Sequence, residues 1–145
     1  MKSIFKKICI ASDHAGYNLK ENIKDFLVKK NLSTIDLGPY NDSSVDYPDF
    51  AKKVAKRVAS KKSDVGILVC GSGTGMAISA NKSKGIRAVQ CYSKINTILS
   101  RQHNNANIIC LGSRLIKKND AFKYIESFLN TSFEGGRHNK RIKKI

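Results

Sequence analysis

The segment Val69–Gly75, with Cys70, Gly71, Ser72, Gly73, Thr74 and Gly75 in a row, carries the densest chemistry in this sequence. Three glycines at alternate positions let successive backbone N–H groups turn inward around an anion. A helix expected to follow adds its positive N-terminal end. Both features favour a cysteine there as thiolate, the basic and nucleophilic form. The segment misses the common nucleotide fingerprints. Counted from Gly71, the sixth place of G-x-G-x-x-G is Met76, and no acidic residue follows about 20 positions on. The Walker pattern G-x-x-x-x-G-K-[ST] does not occur. What remains is an anion cradle beside a reactive thiol, or an inert cysteine in a glycine-rich turn.

Asp13 and His14 form a second candidate pair, just before an expected helix. An Asp–His pair at a strand end suits acid–base work or phosphate contact. Ser12 or Asp13 serves equally as a helix cap. His103 lies at an expected helix end, where its cation is mildly favoured. Arg114 follows the last expected strand, placed either to bind phosphate or to pair with a carboxylate. Arg137 and Arg141 are four apart, one turn if that piece is helical, and arginine suits bidentate phosphate contacts.

These residues need elements to hold them. Apolar, β-branched runs at Lys7–Ala11, Thr34–Leu37, Val65–Cys70, Ile86–Cys91 and Asn107–Leu111 read as strands covered on both faces. Between them the period changes. Leu19, Ile23, Phe26 and Leu27 share one helical face, with Asn31 as a stop. Pro48 opens a second helix, with Ala51, Val54, Ala55 and Val58 as its stripe. A third helix is expected from Gly75 or Met76, a fourth from Lys94 to His103, and a fifth over Asp120–Leu129. The alternation predicts one α/β domain over residues 1–145: a three-layer α/β/α sandwich around a Rossmann-like five-stranded parallel sheet. Ligands of such sheets sit beyond the C-terminal strand ends. The tail at residues 131–145 is polar, hinged at Gly135 and Gly136, and by itself passes for a frayed terminus.

Composition narrows the function class. The chain has 145 residues, 27 Lys and Arg against 11 Asp and Glu, and a formal net charge of +16. Lys20, Lys24, Lys29, Lys30, Lys52, Lys53, Lys56, Lys61 and Lys62 fall along the expected helices, which reads as solvated faces rather than a nucleic-acid stripe. The concentrated exception is the tail from Arg137 to Lys144. No apolar run approaches the roughly 20 residues of a membrane span. The basic start has too short an apolar core for a secretory signal, so a cytoplasmic protein is expected. Cys9, Cys91 and Cys110 lie in apolar runs and read as buried, reduced thiols. No Cys/His group shows zinc spacing, and no metal or cofactor is expected.

Eight pieces, in order along nearly the whole chain, together resemble the ribose-5-phosphate isomerase B family, related to the galactose-6-phosphate isomerase subunits. They are Ser12–Gly16, Val45–Pro48, Cys70–Gly75, Ala80–Lys82, Gly85–Ala88, Ser100–Asn104, Leu111–Arg114 and Glu134–His138. The resemblance implies an aldose–ketose isomerase that interconverts D-ribose 5-phosphate and D-ribulose 5-phosphate in the non-oxidative pentose phosphate pathway. It implies a homodimer with active sites at the subunit interface, pairing into tetramers being open. Carried over, Cys70 matches the catalytic base, and His103, with Asp13 nearby, the residue that helps open the sugar ring. Ser72 and the N–H groups of Gly71, Gly73, Thr74 and Gly75 match the oxyanion cradle. His14, Arg114, Arg137 and Arg141 match phosphate contacts, and the basic tail thereby gains a place at the phosphate site. Asn104 and Tyr47 match sugar contacts. One departure is Ser72, where many members with a cysteine base carry threonine. Serine resembles a second subgroup whose base is a glutamate four residues on. That position here is Met76, which takes no proton, so Cys70 remains the base. A hexose 6-phosphate such as allose or galactose 6-phosphate is the alternative substrate. A nucleotide- or RNA-binding α/β module is the alternative class, disfavoured by the failed fingerprints and the lack of aromatic stacking runs.

Overall fold

The computed structural model describes residues 2–145. Five strands form one sheet, β1 (Ile8–Ser12), β2 (Thr34–Asp36), β3 (Val65–Cys70), β4 (Ala88–Gln90) and β5 (Ile108–Gly112). Their order is β2-β1-β3-β5-β4, and every pairing is parallel. β1, β3 and β5 are buried along their whole length, which is why they read as unbroken apolar runs. The edge strand β4 is shorter than the apolar run from Ile86 to Cys91 predicts. Ile86 N–H bonds to Ser83 in the preceding turn instead.

Helices α1 (Tyr17–Lys29) and α5 (Lys118–Asn130) pack their apolar stripes against one sheet face, joined by α4 (Lys94–Gln102). Ile23, Leu27, Ile125, Phe128 and Leu129 are fully buried there. Helices α2 (Tyr47–Ala59) and α3 (Thr74–Ala80) cover the other face through Ala51, Val54, Ala55, Val58, Met76 and Ala80. The three-layer sandwich is therefore as expected. α5 starts at Lys118, two residues before its expected first turn, and α3 starts at Thr74.

Two expectations need correction. The tail is not frayed: Gly135 and Gly136 adopt positive φ, 69° and 55°, and turn the chain into a short helix α6 (Arg137–Ile142). Lys20 is not on a solvated face. Its side chain is 0% exposed, and its Nζ donates to both Asp36 carboxylate oxygens at 2.8 and 2.9 Å and to the Pro39 carbonyl at 2.6 Å. Lys24 Nζ joins the same carboxylate at 2.7 Å. Burial works against the Asp36 charge, but the two ammonium groups win and hold its carboxyl below the usual carboxylate range. The hydrogen bond to Asp36 in turn raises Lys24 above its ordinary value.

The sheet register sets the site. Ser12 pairs with Val69, so Asp13 stands level with Cys70, and Cys70 pairs with Gly112 on the other side. Asp13 N–H still donates to the Val69 carbonyl at 3.1 Å. Three neighbouring strands thus deliver Asp13, Cys70 and the Gly112–Arg114 turn to one level beyond their C-terminal ends, where parallel α/β sheets bind ligands.

Candidate active site

Cys70 is the last residue of β3 and is 4% exposed. The chain beyond it doubles back because Gly73 adopts φ +80°, packed so tightly on β5 that an added Cβ would lie 3.0 Å from the Leu111 carbonyl carbon. That turn aims the Gly73 N–H at Cys70 Sγ, 3.1 Å away. Among the described residues, the N–H groups of Gly71, Ser72 and Gly75 have no protein acceptor. They are donors available to an anion, while the Ser72 hydroxyl accepts from Thr74 N–H at 3.3 Å. Gln90, a residue to which the sequence assigns no role, braces this loop from β4. Its Nε2 donates to the Ser72 carbonyl at 2.7 Å, and its Oε1 accepts from the Thr74 hydroxyl at 3.0 Å.

Asp13, Tyr47, Cys70, Gly71, Ser72, Gly75 and Arg114 line one cleft of about 270 Å³, together with Leu115. Gly71 and Gly75 let charged and aromatic groups come close. A Cβ at Gly71 would lie 2.8 Å from Arg114 Nη1, and one at Gly75 2.8 Å from the Tyr47 ring. Asp13 serves the turn as well as the cleft. Its Oδ1 accepts from Gly16 N–H at 3.0 Å, and it is buried. His14 is exposed beside it, its Nδ1 accepting from Val45 N–H at 3.2 Å in the stretch that leads into α2. Arg114 has no carboxylate partner among the described residues, so its guanidinium lines the cleft without an ion pair. Met76 is fully buried in the core, which removes it from any proton chemistry.

Cys9, Cys91 and Cys110 are buried and unpaired. Burial pushes the Cys9 thiol up, the Cys91 thiol to about 11 and the Cys110 thiol well above its ordinary value, which disfavours the thiolate at all three.

The remaining expected residues lie elsewhere. His103, Asn104 and Arg141 line a separate cleft of about 270 Å³ with His138, Ile142 and Ile145, and Arg137 begins the same α6. Arg101 builds this region. It is buried, and its guanidinium donates to the Thr131 carbonyl at 3.0 Å, to Asn105 Oδ1 at 3.0 Å and to the Ala106 carbonyl. It thus ties the start of the tail to the turn that carries His103 and Asn104. Burial, helped by Arg87, lowers Arg101 to about 10.

A cluster absent from the sequence reading also appears here. The ligand atoms of His103, Glu134 and His138 lie within 4.8 Å of one another. The sequence shows no such grouping because only the folded-back tail brings Glu134 and His138 to the end of α4. Their i, i+4 spacing is the signal that sequence reading had available. Burial, with His103 and Arg137 opposite, holds His138 below its ordinary histidine value.

Comparisons with known proteins agree with this architecture. Residues 8–145 match the family model described as Ribose/Galactose Isomerase. A probable ribose-5-phosphate isomerase B of Mycoplasma genitalium is 47% identical over 140 residues, covering 95% of this chain and 92% of the relative. The crystal structure of a ribose 5-phosphate isomerase from Thermotoga maritima superposes with a TM-score of 0.94 at 51% identity, covering 95% of each chain. The Mycoplasma genitalium ribose-5-phosphate isomerase B with bound ribulose-5-phosphate superposes with a TM-score of 0.91 at 46% identity, covering 95% of this chain and 92% of that one. With its whole core matched at this identity, and with the Cys70 loop at the strand ends, the chain belongs to the ribose/galactose isomerase family.

Proposed function

We propose that this protein interconverts D-ribose 5-phosphate and D-ribulose 5-phosphate, with Cys70 as the base. The observation that carries the assignment is Cys70 itself. Alone among four cysteines it stands in a cleft at the sheet's C-terminal edge, beside a loop whose N–H groups await an anion. The relative solved with ribulose-5-phosphate supports the pentose as substrate.

The chemistry follows from what each group offers. His103 and Asp13 open the furanose: a proton leaves the C1 hydroxyl, another reaches the ring oxygen, and the C1–O4 bond breaks. The Cys70 thiolate then takes the C2 proton of the open aldehyde. The electron pair moves onto the carbonyl oxygen and forms a cis-enediolate. The free N–H groups of Gly71, Ser72 and Gly75, with the Ser72 hydroxyl, stabilise that charge, which in enzymes of this kind is commonly the largest catalytic contribution. As the O2 hydroxyl gives up its proton and O1 takes one, Cys70 returns the carbon-bound proton to C1, which leaves the ketone at C2 and a hydroxyl on C1. His14, Arg114, Arg137 and Arg141 hold the phosphate, Tyr47 and Asn104 the sugar hydroxyls, so that C2 sits at the base. No step requires a metal or cofactor.

One chain does not bring all of these together, and a second copy supplies the rest. The Cys70 cleft has a base and a cradle; the His103 cleft has the ring-opening residue and two arginines. Ile78 on α3, Tyr92 after β4, and Ile95 and Leu99 on α4 leave an apolar surface exposed around the edge strand. That surface suits a symmetric homodimer in which the tail of one subunit, residues 131–145, completes the site of the other.

The test is ketose formation from ribose 5-phosphate beside allose 6-phosphate and galactose 6-phosphate, with Cys70→Ala as control. Cys70-dependent turnover of the pentose is the expected outcome. Turnover confined to a hexose phosphate would move the substrate, and none on any sugar would sink the enzyme reading.

A further inference from the structure

Glu134 and His138 belong to the tail motif, yet the reaction as written assigns them nothing. The structure places both against His103. The imidazole rings of His103 and His138 are stacked, 4.4 Å between centroids and 15° between planes. Glu134 Oε2 lies 3.6 Å from His138 Nε2 and 4.0 Å from His103 Nε2, so one carboxylate oxygen faces both. The arrangement is anchored. Glu134 N–H donates to the Gln102 carbonyl at 3.1 Å, directly before His103, and the His138 side chain is only 8% exposed. The other charged groups facing His138 are Arg137 and Arg141 of its own helix.

Two protonated imidazoles stacked at this distance, with two guanidinium groups close by, repel strongly. One carboxylate offsets one positive charge. The trio therefore favours a single imidazolium, shared between two rings and held by Glu134. A shared metal ion fits less well. Tetrahedral zinc at its usual ligand distances brings donor atoms to roughly 3.3 Å with their lone pairs converging. Near-parallel rings direct theirs side by side.

We propose that Glu134 and His138 are positioning residues for His103, fixing its ring by stacking and keeping one proton at the pair for transfer to the sugar ring oxygen. The proposal rests on the reading of His103 as the ring-opening residue. His138 limits the charge that the pair carries, and Glu134 secures it. Removing either therefore moves the proton in opposite directions. Without the carboxylate the imidazolium is less favoured and is lost at lower pH. Without the second imidazole the charge facing Glu134 meets no competing cation from that side and persists to higher pH.

The experiment measures kcat/KM against pH for Glu134→Gln and His138→Phe in the full-length protein. Phenylalanine keeps a stacking ring without a titratable nitrogen, and Glu134 is half exposed, so its change spares the fold. Each variant is expected to lose roughly tenfold with ribose 5-phosphate, the scale usual for partners that orient a functional histidine. A four-carbon aldose 4-phosphate has its ring-closing hydroxyl blocked, and its turnover should fall far less. The limb of the profile set by the histidine pair should move to lower pH in Glu134→Gln and to higher pH in His138→Phe. Unmoved limbs, or equal losses on both sugars, would overturn the proposal. So would stoichiometric zinc bound by the unmodified protein and lost in Glu134→Gln, which would make the trio a metal site. His103→Asn measured alongside separates the two levels. If it spares ribose 5-phosphate, the ring-opening role itself is wrong and the proposal falls with it; if it cripples turnover while the other two do nothing, only the proposal falls.

Discussion

The Cys70 cleft and the His103 cleft are built by different means. The first is a product of sheet register: Asp13, Cys70 and Gly112 stand level because β1, β3 and β5 are hydrogen-bonded neighbours. Its loop is pinned by the positive φ of Gly73 and by Gln90. The second draws its functional groups from helix ends and the tail, none of them from a strand. It is the end of α4, a two-glycine turn and a six-residue helix, held by Arg101, one backbone hydrogen bond and a stacked pair of rings. The difference matches the work proposed for each. Proton abstraction from carbon tolerates little misplacement of base and donors. Phosphate anchoring and ring opening, to which His14, Arg114 and Asp13 of the first cleft also contribute in the proposed reaction, would tolerate a module delivered by another subunit.

The sharpest way to break this division is at the base. Cys70→Ala should lower kcat by about a hundred- to ten-thousandfold, the range that general acid–base groups contribute. Ribose 5-phosphate or inorganic phosphate should still bind, by calorimetry, because the cations are untouched. Loss of binding together with turnover would mean that Cys70 shapes the cleft rather than serving as its base.

A complementation assay reads the assignment of halves to subunits. Cys70→Ala and His103→Asn are each expected to be nearly inactive alone. After mixing, dissociation and reassembly, half of the dimers carry one copy of each. In a symmetric interface one of their two sites then has both wild-type residues, so about a quarter of wild-type activity should return. A mixture that stays inactive, with mixed dimers confirmed by native mass spectrometry, would place both halves of each site in one chain.

The same contrast governs what the sequence discloses. The Cys70 half is legible because its signals are local. Alternate glycines, a cysteine at the end of an apolar run and Asp13 at the end of another all imply a strand-end site, and sheet register supplies the alignment. The tail half is legible only as a set of cations. Neither the fold-back at Gly135 and Gly136 nor the meeting of Glu134 and His138 with His103 has a hydrophobic period to announce it, since α6 is short and mostly polar. Lys20 shows the same limit inside the fold. Its place on α1 reads as solvated, and only the position of Asp36 across the β1–β2 edge reveals it as a buried ion pair.

Removing the tail tests the second half directly. A chain ended at Glu134 loses Arg137 and Arg141 but no core apolar residue. It should fold, and its KM for ribose 5-phosphate should rise by about a hundredfold or more, as fits the loss of two charge-assisted hydrogen-bond donors worth roughly 1.5–3 kcal/mol each. Unchanged KM in the folded, shortened protein would defeat the anchoring role of α6.

The smallest effect on turnover is expected where stability alone is at stake, at the ion pair between α1 and β2. Asp36→Asn removes the carboxylate 2.8 Å from the fully buried Lys20 ammonium and leaves it only the Glu21 carboxylate at 3.8 Å, and breaking a buried pair from one side costs roughly 3–5 kcal/mol. Tm should fall by several degrees while kcat/KM at 25 °C stays near wild type, because Asp36 touches no cleft residue. The pH dependence has a definite sign. The folded Asp36 carboxyl lies below its unfolded value, so its stabilisation is complete above the ordinary aspartate value of about 3.9 and is lost as pH falls through the lower, folded one. Wild-type Tm should therefore drop on acidification below pH ~4 more steeply than that of Asp36→Asn, and the two curves should converge. Parallel curves would mean that the ammonium groups of Lys20 and Lys24 are solvated well enough to stand without the carboxylate.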